Sequence, residues 1–308
     1  MLRIRNLRAL CFHLLVLFWF PPSTRQEEAT IEFDESRSGA NPEFRLNKDP
    51  ALVAFHVWGD MEWPVWVHDP EECPIQSRSI LQSQAYAPDQ CKIMLVILEA
   101  LQDSWLLDLG ANMGMIAMSA GAYGFKAIAV EPMEYNAELL RASIALNGFP
   151  VTLVQSAVSN VSGTACMEVT DQRGNGNLNL HGATTCEDPV PIRTVDDILT
   201  EMGWPCIGVV KSDMEGFDIQ ALQGASRLLS PNGQCRPCLV QVEHIQAFQR
   251  RSKGFFSHVD LTQLMEGYGY TVVKFNAWNG MGEHDGDYVF GLVSDQECLR
   301  ALHRAFGS

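Results

Sequence analysis

From Trp105 onward, short apolar runs recur at near-regular intervals, separated by polar or amphipathic stretches. Runs of four to six residues at Trp105–Leu109, Ala127–Val130, Val151–Val154, Ile207–Val210, Leu239–Val242, Thr271–Phe275 and Tyr288–Val293 predict seven strands. Several are apolar throughout rather than alternating, as expected of strands buried on both faces. Helical stretches lie between most of them, notably Met133–Asn147, Phe217–Leu229 and Val259–Gly267, and Asp89–Gln102 precedes the first strand. This alternation predicts an α/β fold with a doubly wound, mostly parallel seven-stranded sheet. If the last strand returns antiparallel, the loop Asn276–Asp287 hangs over the carboxyl edge, where ligands of open α/β sheets bind.

The remaining segments read differently. Ser156 to Cys206 is a longer insertion with a glycine-asparagine stretch and two short strands, Ala165–Val169 and Val190–Arg193. Residues 51–104 form a lead-in of short apolar-aromatic stretches broken by Pro64, Pro70 and Pro74 and closed by the helix; the catalytic domain is expected over 105–308. Trp58, Trp63 and Trp66 in the lead-in read as core, with stacking on a sugar ring as the alternative. Residues 24–50 are polar and acidic and read as a flexible linker. Residues 1–23 carry Arg3, Arg5 and Arg8, then the apolar run Ala9 to Phe20, then Pro21-Pro22-Ser23. That order is expected of a secretory signal. With no clear small-x-small cleavage site, an uncleaved signal-anchor is the other reading, so the expected location is the secretory pathway, secreted or luminal.

The 308 residues include 22 Lys+Arg and 37 Asp+Glu, a net charge of −15, with 46% hydrophobic and 19% charged residues. Setting aside the four arginines of the first 25 residues leaves −19 on the rest. That balance counts against nucleic acid as a partner and against a basic surface held on anionic lipid. Any membrane association is expected only through the N-terminal anchor. Of nine cysteines, eight follow the leader, an even number able to pair in an oxidising lumen. Cys235-Arg-Pro-Cys238 has no second CxxC and no His pair, which makes it a poor zinc site and suggests a local disulfide or two thiols. Asn160-Val-Ser162 is a glycosylation sequon.

The sharpest chemistry follows the first strand, in Leu106-Leu-Asp-Leu-Gly-Ala-Asn-Met-Gly114. Gly110 lets the backbone turn sharply and Gly114 allows close packing as a helix begins. The spacing is not the G-x-G-x-x-G of a dinucleotide site, and Asp108 would repel a pyrophosphate. Glu131 ends the second strand 21 residues after Gly110, where a carboxylate can accept from a ribose diol. A nucleoside with positive charge and no phosphate is S-adenosylmethionine. An NAD-dependent dehydrogenase is correspondingly disfavoured.

The ordered blocks LLDLGANMG, VEPMEYNAELLRASIALNGF, PIRTVDDIL, VVKSDMEGFDIQALQGASRLL and VQVEH, spanning Trp105 to Phe248, resemble the FkbM-type S-adenosylmethionine-dependent methyltransferases. The resemblance implies a Rossmann-like class I methyltransferase fold and methyl transfer to a hydroxyl of a sugar, glycan or small natural product. It implies a cofactor site of Asp108, Gly110, Asn112, Gly114 and Glu131, with Gln155 and Ser156 near the adenine. Lys211, Asp213, Glu215 and Gly216 match the family's Lys-x-Asp-x-Glu-Gly block. Ser212 and Met214 depart from it where an aliphatic is more usual.

An alcohol is a poor nucleophile at neutral pH, so a base or a metal must assist it. Asp213 and Glu215 leave the fourth strand, and Glu243 and His244 the fifth, at the carboxyl edge. His244 has a convenient unperturbed pKa for a general base. The carboxylates Asp213, Glu215 and Glu243 would instead suit a Mg²⁺-like divalent cation, or cap the following helices. Trp278, His284 and Asp285 in the late loop are lesser candidates. A cofactor-binding protein without catalysis, built on the same scaffold, is the alternative function.

Overall fold

All seven apolar runs become strands of a single sheet. A computed structural model describes residues 51–56, 61–69, 76–169, 176–179, 189–233, 235–249 and 256–307, with 51–56, 167–169 and 176–179 described by backbone alone. The leader, the linker, Trp58, Cys73 and Cys186 lie outside the described residues. The described residues all fall within one compact unit.

The chain enters through an antiparallel hairpin, β1 (Ala51–His56) and β2 (Glu62–Val67), followed by α1 (Gln76–Ser83) and α2 (Pro88–Ala100). Three units then build half the main sheet: β3 (Trp105–Leu109) with α3 (Met115–Ala122), β4 (Ala127–Val130) with α4 (Glu134–Asn147), and β5 (Val151–Val154). The insertion forms β6 (Ala157–Val158), β7 (Gly163–Val169), β8 (Gly176–Asn179) and β9 (Pro189–Arg193), a separate four-stranded sheet ordered β6-β9-β7-β8. Helix α5 (Val195–Glu201) leads to β10 (Ile207–Ser212), α6 (Asp218–Gln223) and α7 (Ser226–Leu229). The remainder is β11 (Leu239–His244), α8 (Gln246–Gln249), α9 (His258–Gly267), β12 (Thr271–Ala277), β13 (Gly286–Gly291) and α10 (Gln296–Phe306).

The main sheet is ordered β12-β13-β11-β10-β3-β4-β5, parallel except for β13, which runs antiparallel to both of its neighbours. Strand order reverses between β3 and β10, and the loops after those two strands open at the same carboxyl edge. Strands β3, β4, β10 and β11 are buried nearly end to end, which accounts for their unbroken apolar reading.

Three expectations shift. β13 begins two residues before its apolar run because Gly286 and Asp287 pair with His244 and Glu243. The helix expected over 217–229 is two short helices, broken where a Cβ on Gly224 would stand 2.3 Å from the Ser159 carbonyl oxygen. The CxxC forms no local disulfide: its two cysteines point to different elements, pairing Cys206 with Cys235 and Cys238 with Cys298, at Cα separations of 5.3 and 4.9 Å. Cys166 is also disulfide-bonded, while Cys91 is a buried free thiol.

The lead-in packs on the main sheet's helices. Trp63 is 2% exposed and meets Tyr123 and Phe149 edge-on, so it is core rather than a sugar platform. The Trp66 N–H donates to Ser143 Oγ at 2.9 Å, and Asn147 Nδ2 donates to the Pro64 carbonyl at 2.8 Å. Among the described residues no helix is long and apolar enough to cross a membrane.

The Cys238–Cys298 bridge closes a loop with a sequence separation of 60 and ties α10 to the start of β11. Loop-closure entropy makes such a link worth about 4 kcal/mol. Cys238→Ser should lower the unfolding free energy by roughly that amount in non-reducing urea titration. An unchanged midpoint would contradict the pairing.

Candidate active site

A cleft enclosing about 880 Å³ of empty space, part of it open to solvent, lies at the carboxyl edge where the strand order reverses. Its walls include Gly110 to Met113 after β3, Glu131 to Met133 after β4, Ser156 to Val158 after β5, Lys211 near the end of β10, and Asp213, Glu215 and Phe217 beyond it. Gln76, Ile80 and Tyr86 from the lead-in close one side. Most of the expected cofactor residues therefore converge on one space.

The loop after β3 is held by backbone. The N–H groups of Gly110 and Ala111 donate to the Val130 carbonyl at 3.0 and 2.9 Å, and the Asp213 N–H donates to the Leu109 carbonyl at 3.1 Å. Gly110 has φ 72°, and a Cβ there would stand 1.9 Å from the Asp213 carbonyl oxygen. Only glycine lets the two loops cross this closely. Gly114, at φ 83°, likewise leaves room for Leu140 of α4. Asn112 is left-handed at φ 53°, and its Oδ1 accepts from the Met113 N–H at 2.8 Å. A short side chain bonding its own neighbouring backbone makes that conformation tolerable.

Glu131 is 4% exposed and lines the cleft. Its Oε2 accepts from the Asn112 N–H at 2.8 Å, and its Oε1 from the Met133 N–H at 3.0 Å and Asn136 Nδ2 at 3.1 Å. Burial lifts its pKa, while those donors pull it back. A carboxylate offers about four acceptor positions, so Glu131 keeps capacity for a ligand hydroxyl. Ser156 lines the cleft with its hydroxyl turned inward, to the carbonyls of Ala157 and Pro191 at 2.8 and 3.0 Å. Gln155 instead bonds Arg141 and Glu134.

Asp108 has no exposed surface. Its Oδ2 accepts from the Ala117 N–H of α3 at 3.1 Å, and its Oδ1 lies 3.2 Å from Lys211 Nζ. It supports the loop from beneath rather than lining the cleft. Lys211 also donates to the Gly110 carbonyl at 2.7 Å and lies 3.6 Å from Asp213 Oδ2. Burial opposes its charge, but Asp108 and then Asp213 outweigh burial and raise its pKa. It is a fixed cation and no base.

Asp213 and Glu215 reach the cleft, and the Asp213 side chain is 34% exposed. Glu215 is left-handed at φ 54°, next to Gly216 at φ 99°. Asp218 organises this turn: its Oδ1 accepts from Ser212 Oγ at 2.7 Å and the Met214 N–H at 3.1 Å, and its Oδ2 from the Gly216 N–H at 3.3 Å. Burial raises the Asp218 pKa to about 7 despite those donors.

Glu243 and His244 end β11 but do not line the cleft. His244 is 1% exposed, edge-on to Tyr288 and His258 at 6.1 and 6.5 Å, and burial lowers its pKa. In the late loop, His284 stacks on His258 at 3.8 Å. Trp278 Nε1 donates to Asp287 Oδ2 at 3.3 Å, and Asp285 Oδ1 accepts from the Gln246 N–H at 2.8 Å. The loop thus braces the far end of the sheet edge. Among the described residues no three His, Cys, Asp or Glu side chains are arranged to hold a metal ion, so Asp213, Glu215 and Glu243 do not form the expected cation site.

Tyr86, Lys211, Asn136 and Asp218 were not assigned roles from sequence. Lys211 carried a signal, since a cation at the end of an apolar buried run requires buried partners. Tyr86 carried none, because it reaches the cleft from a turn between helices. Burial, with Asp213 next, pushes its phenol up, so it stays protonated.

A Gly110→Ala chain should lose affinity for S-adenosylhomocysteine by about a hundredfold or fail to fold, checked by calorimetric titration and melting. Normal binding would refute the loop geometry. Glu243 is 4% exposed and its Oε2 has no hydrogen-bond partner. Burial and the carboxylates of Asp213, Asp218, Glu215 and Asp287 hold its pKa well above the ordinary 4.5. The folded protein then keeps a proton that the unfolded chain has lost, so stability falls as pH rises above the ordinary carboxylate range. Glu243→Gln should flatten the decline of thermal midpoint as pH rises above the ordinary carboxylate range. Equal slopes would contradict this.

Residues 108–272 match the methyltransferase FkbM domain family. Among solved structures, the fold is similar to a precorrin-6y C5,15-methyltransferase from Geobacter metallireducens, at 13% identity, TM-score 0.37, covering 66% of this chain and 85% of that one. It is also similar to a TehB-like SAM-dependent methyltransferase from Corynebacterium glutamicum, at 12% identity, TM-score 0.40, covering 70% and 94%. A third is the Pyrococcus abyssi tRNA (uracil-54, C5)-methyltransferase in complex with S-adenosyl-L-homocysteine, at 10% identity, TM-score 0.41, covering 78% and 43%. No curated protein matches the chain significantly. The matched family segment spans more than half of the chain and carries the whole glycine loop, and on that ground the protein belongs to the FkbM family of S-adenosylmethionine-dependent methyltransferases.

Proposed function

We propose that the protein transfers a methyl group to a hydroxyl of a sugar, glycan or small natural product, with Asp213 as the general base. The observation that carries this is the placement of the Asp213 carboxylate in the cleft, directly across from the loop after β3 and beside Lys211. The residues at the cleft suit the cofactor: Glu131 retains acceptor capacity for a hydroxyl, and Gly110 keeps the turn after β3 free of a Cβ. Glu131 would hold it, with the loop from Gly110 to Met113 and Ser156 as the walls against which it lies. When bound, S-adenosylmethionine supplies a methyl group on a positively charged sulfur.

The protein's own tasks are to orient the acceptor, exclude water and take a proton. Asp213 and Glu215 present acceptor oxygens, which suits a ligand rich in O–H groups and disfavours a phosphorylated one. Lys211 holds the Asp213 carboxylate in place from the buried side, and Asp213 takes the hydroxyl proton. Tyr86, Met214 and Phe217 cover the site with largely apolar surface. His244 lies outside the cleft and is not placed to serve as the base.

The apolar leader supports a secretory location, and so do cross-links between cysteines far apart in sequence, since such bonds persist in oxidising compartments. The test is incubation with methyl-labelled cofactor and fractionated glycans, lipids and metabolites. An alkali-stable labelled ether is expected, and Asp213→Asn should reduce labelling by at least about a hundredfold while cofactor affinity stays within about threefold. Cofactor binding with no labelled fraction, or full activity in the variant, would overturn the reading.

A further inference from the structure

The lead-in hairpin brings one buried side chain within reach of the cofactor machinery. His68 follows β2 directly and has no exposed surface. Its Nε2 lies 2.7 Å from Asn136 Oδ1, and Asn136, itself 1% exposed in the first turn of α4, reaches Glu131 Oε1 through Nδ2 at 3.1 Å. The direction of this relay follows from the chemistry of its end. A carboxylate only accepts, so Asn136 must turn its amide nitrogen toward Glu131. That leaves the amide oxygen facing His68, and the imidazole must carry its proton on Nε2.

The relay has no slack. Tyr135 stands edge-on to the imidazole at 5.4 Å. The backbone of β2 is tied to the same helix by Trp66 to Ser143 and Pro64 to Asn147. At the other end, Glu131 Oε1 is saturated by Asn136 and the Met133 N–H, whereas among the described residues Oε2 accepts from the Asn112 N–H alone. The carboxylate's rotation is thereby set so that the spare acceptor position belongs to Oε2.

We propose that His68 is a positioning residue of the cofactor site: through Asn136 it fixes the orientation in which Glu131 meets the ribose hydroxyls. The hairpin before the catalytic sheet is then a working part of the site. This rests on Glu131 being the ribose ligand. A purely structural histidine would affect melting but would not show the coupling described next.

The test is calorimetric titration of S-adenosylhomocysteine into the full chain and its variants, with thermal melting as the check on folding. His68→Leu should weaken binding on the order of tenfold. His68→Gln, whose amide nitrogen can donate from the same place, should restore it to within about threefold. In an Asn136→Ala background, His68→Leu should cause no further loss. Wild-type affinity in His68→Leu, or a His68→Gln chain as weak as His68→Leu, would overturn the proposal while leaving the ribose reading intact. A further loss in the Asn136→Ala background would also overturn it. Undiminished binding in Glu131→Ala would remove the ribose reading itself, and the proposal with it. If His68→Leu fails to fold, the Gln variant and the Asn136→Ala chain decide alone: the first must bind nearly normally and the second about tenfold less tightly.

Discussion

The buried ammonium of Lys211 is the interaction on which the site depends. It meets Asp108 beneath the glycine loop, the Gly110 carbonyl within that loop, and Asp213 at the cleft wall. Register alone sets the first of these contacts, because Lys211 of β10 is the direct neighbour of Asp108 on β3. Burying a charge costs several kcal/mol unless it is paired and hydrogen-bonded. Here one cation satisfies groups from three places, so losing it would leave Asp108 buried without its counter-ion. With a pKa raised above its usual value, the ammonium contributes stability through neutral pH and loses it only in strong alkali.

Around this pair the cleft divides by chemistry. On the cofactor side, the N–H groups of Asn112 and Met133 and the Asn136 amide fix Glu131, whose Oε2 keeps an acceptor position for a hydroxyl. On the other side, Asp213 and Glu215 stand on a turn that Asp218 braces from within. The two halves meet where a Cβ on Gly110 would strike the Asp213 carbonyl. The Asp213 backbone therefore cannot shift without moving the loop after β3. Glu243 does not line the cleft, and its burial among Asp213, Asp218, Glu215 and Asp287 favours its protonated form.

The main sheet, its antiparallel last strand and the convergence of Gly110, Asn112, Glu131, Asp213 and Glu215 were legible in the sequence. Strand interiors and sharp turns are local demands: an unbroken apolar run needs burial on both faces, and a left-handed turn needs glycine or asparagine. The exceptions were equally physical. The CxxC looked like one unit, but disulfide pairing depends on Cα separation in space, and each cysteine lies nearer a partner from another element. The helix expected after β10 breaks at Gly224, where the close approach of the Ser159 carbonyl leaves no room for a Cβ, a long-range contact that no helical periodicity records.

Asp108 and His244 mark the boundary most clearly. Each stands at a strand end, and spacing along the chain assigns both to the same edge. Whether a side chain there faces a ligand, a counter-ion or another ring depends on what packs against it from distant segments. By itself the sequence determined the order of elements, the fold family and the set of residues able to meet at the carboxyl edge. Tertiary structure decided that Asp108 turns down to Lys211, that His244 lies outside the cleft, that Tyr86 of the lead-in lines it, and that His68 meets Asn136. Those are questions of side-chain direction and long-range burial, and local pattern does not encode either.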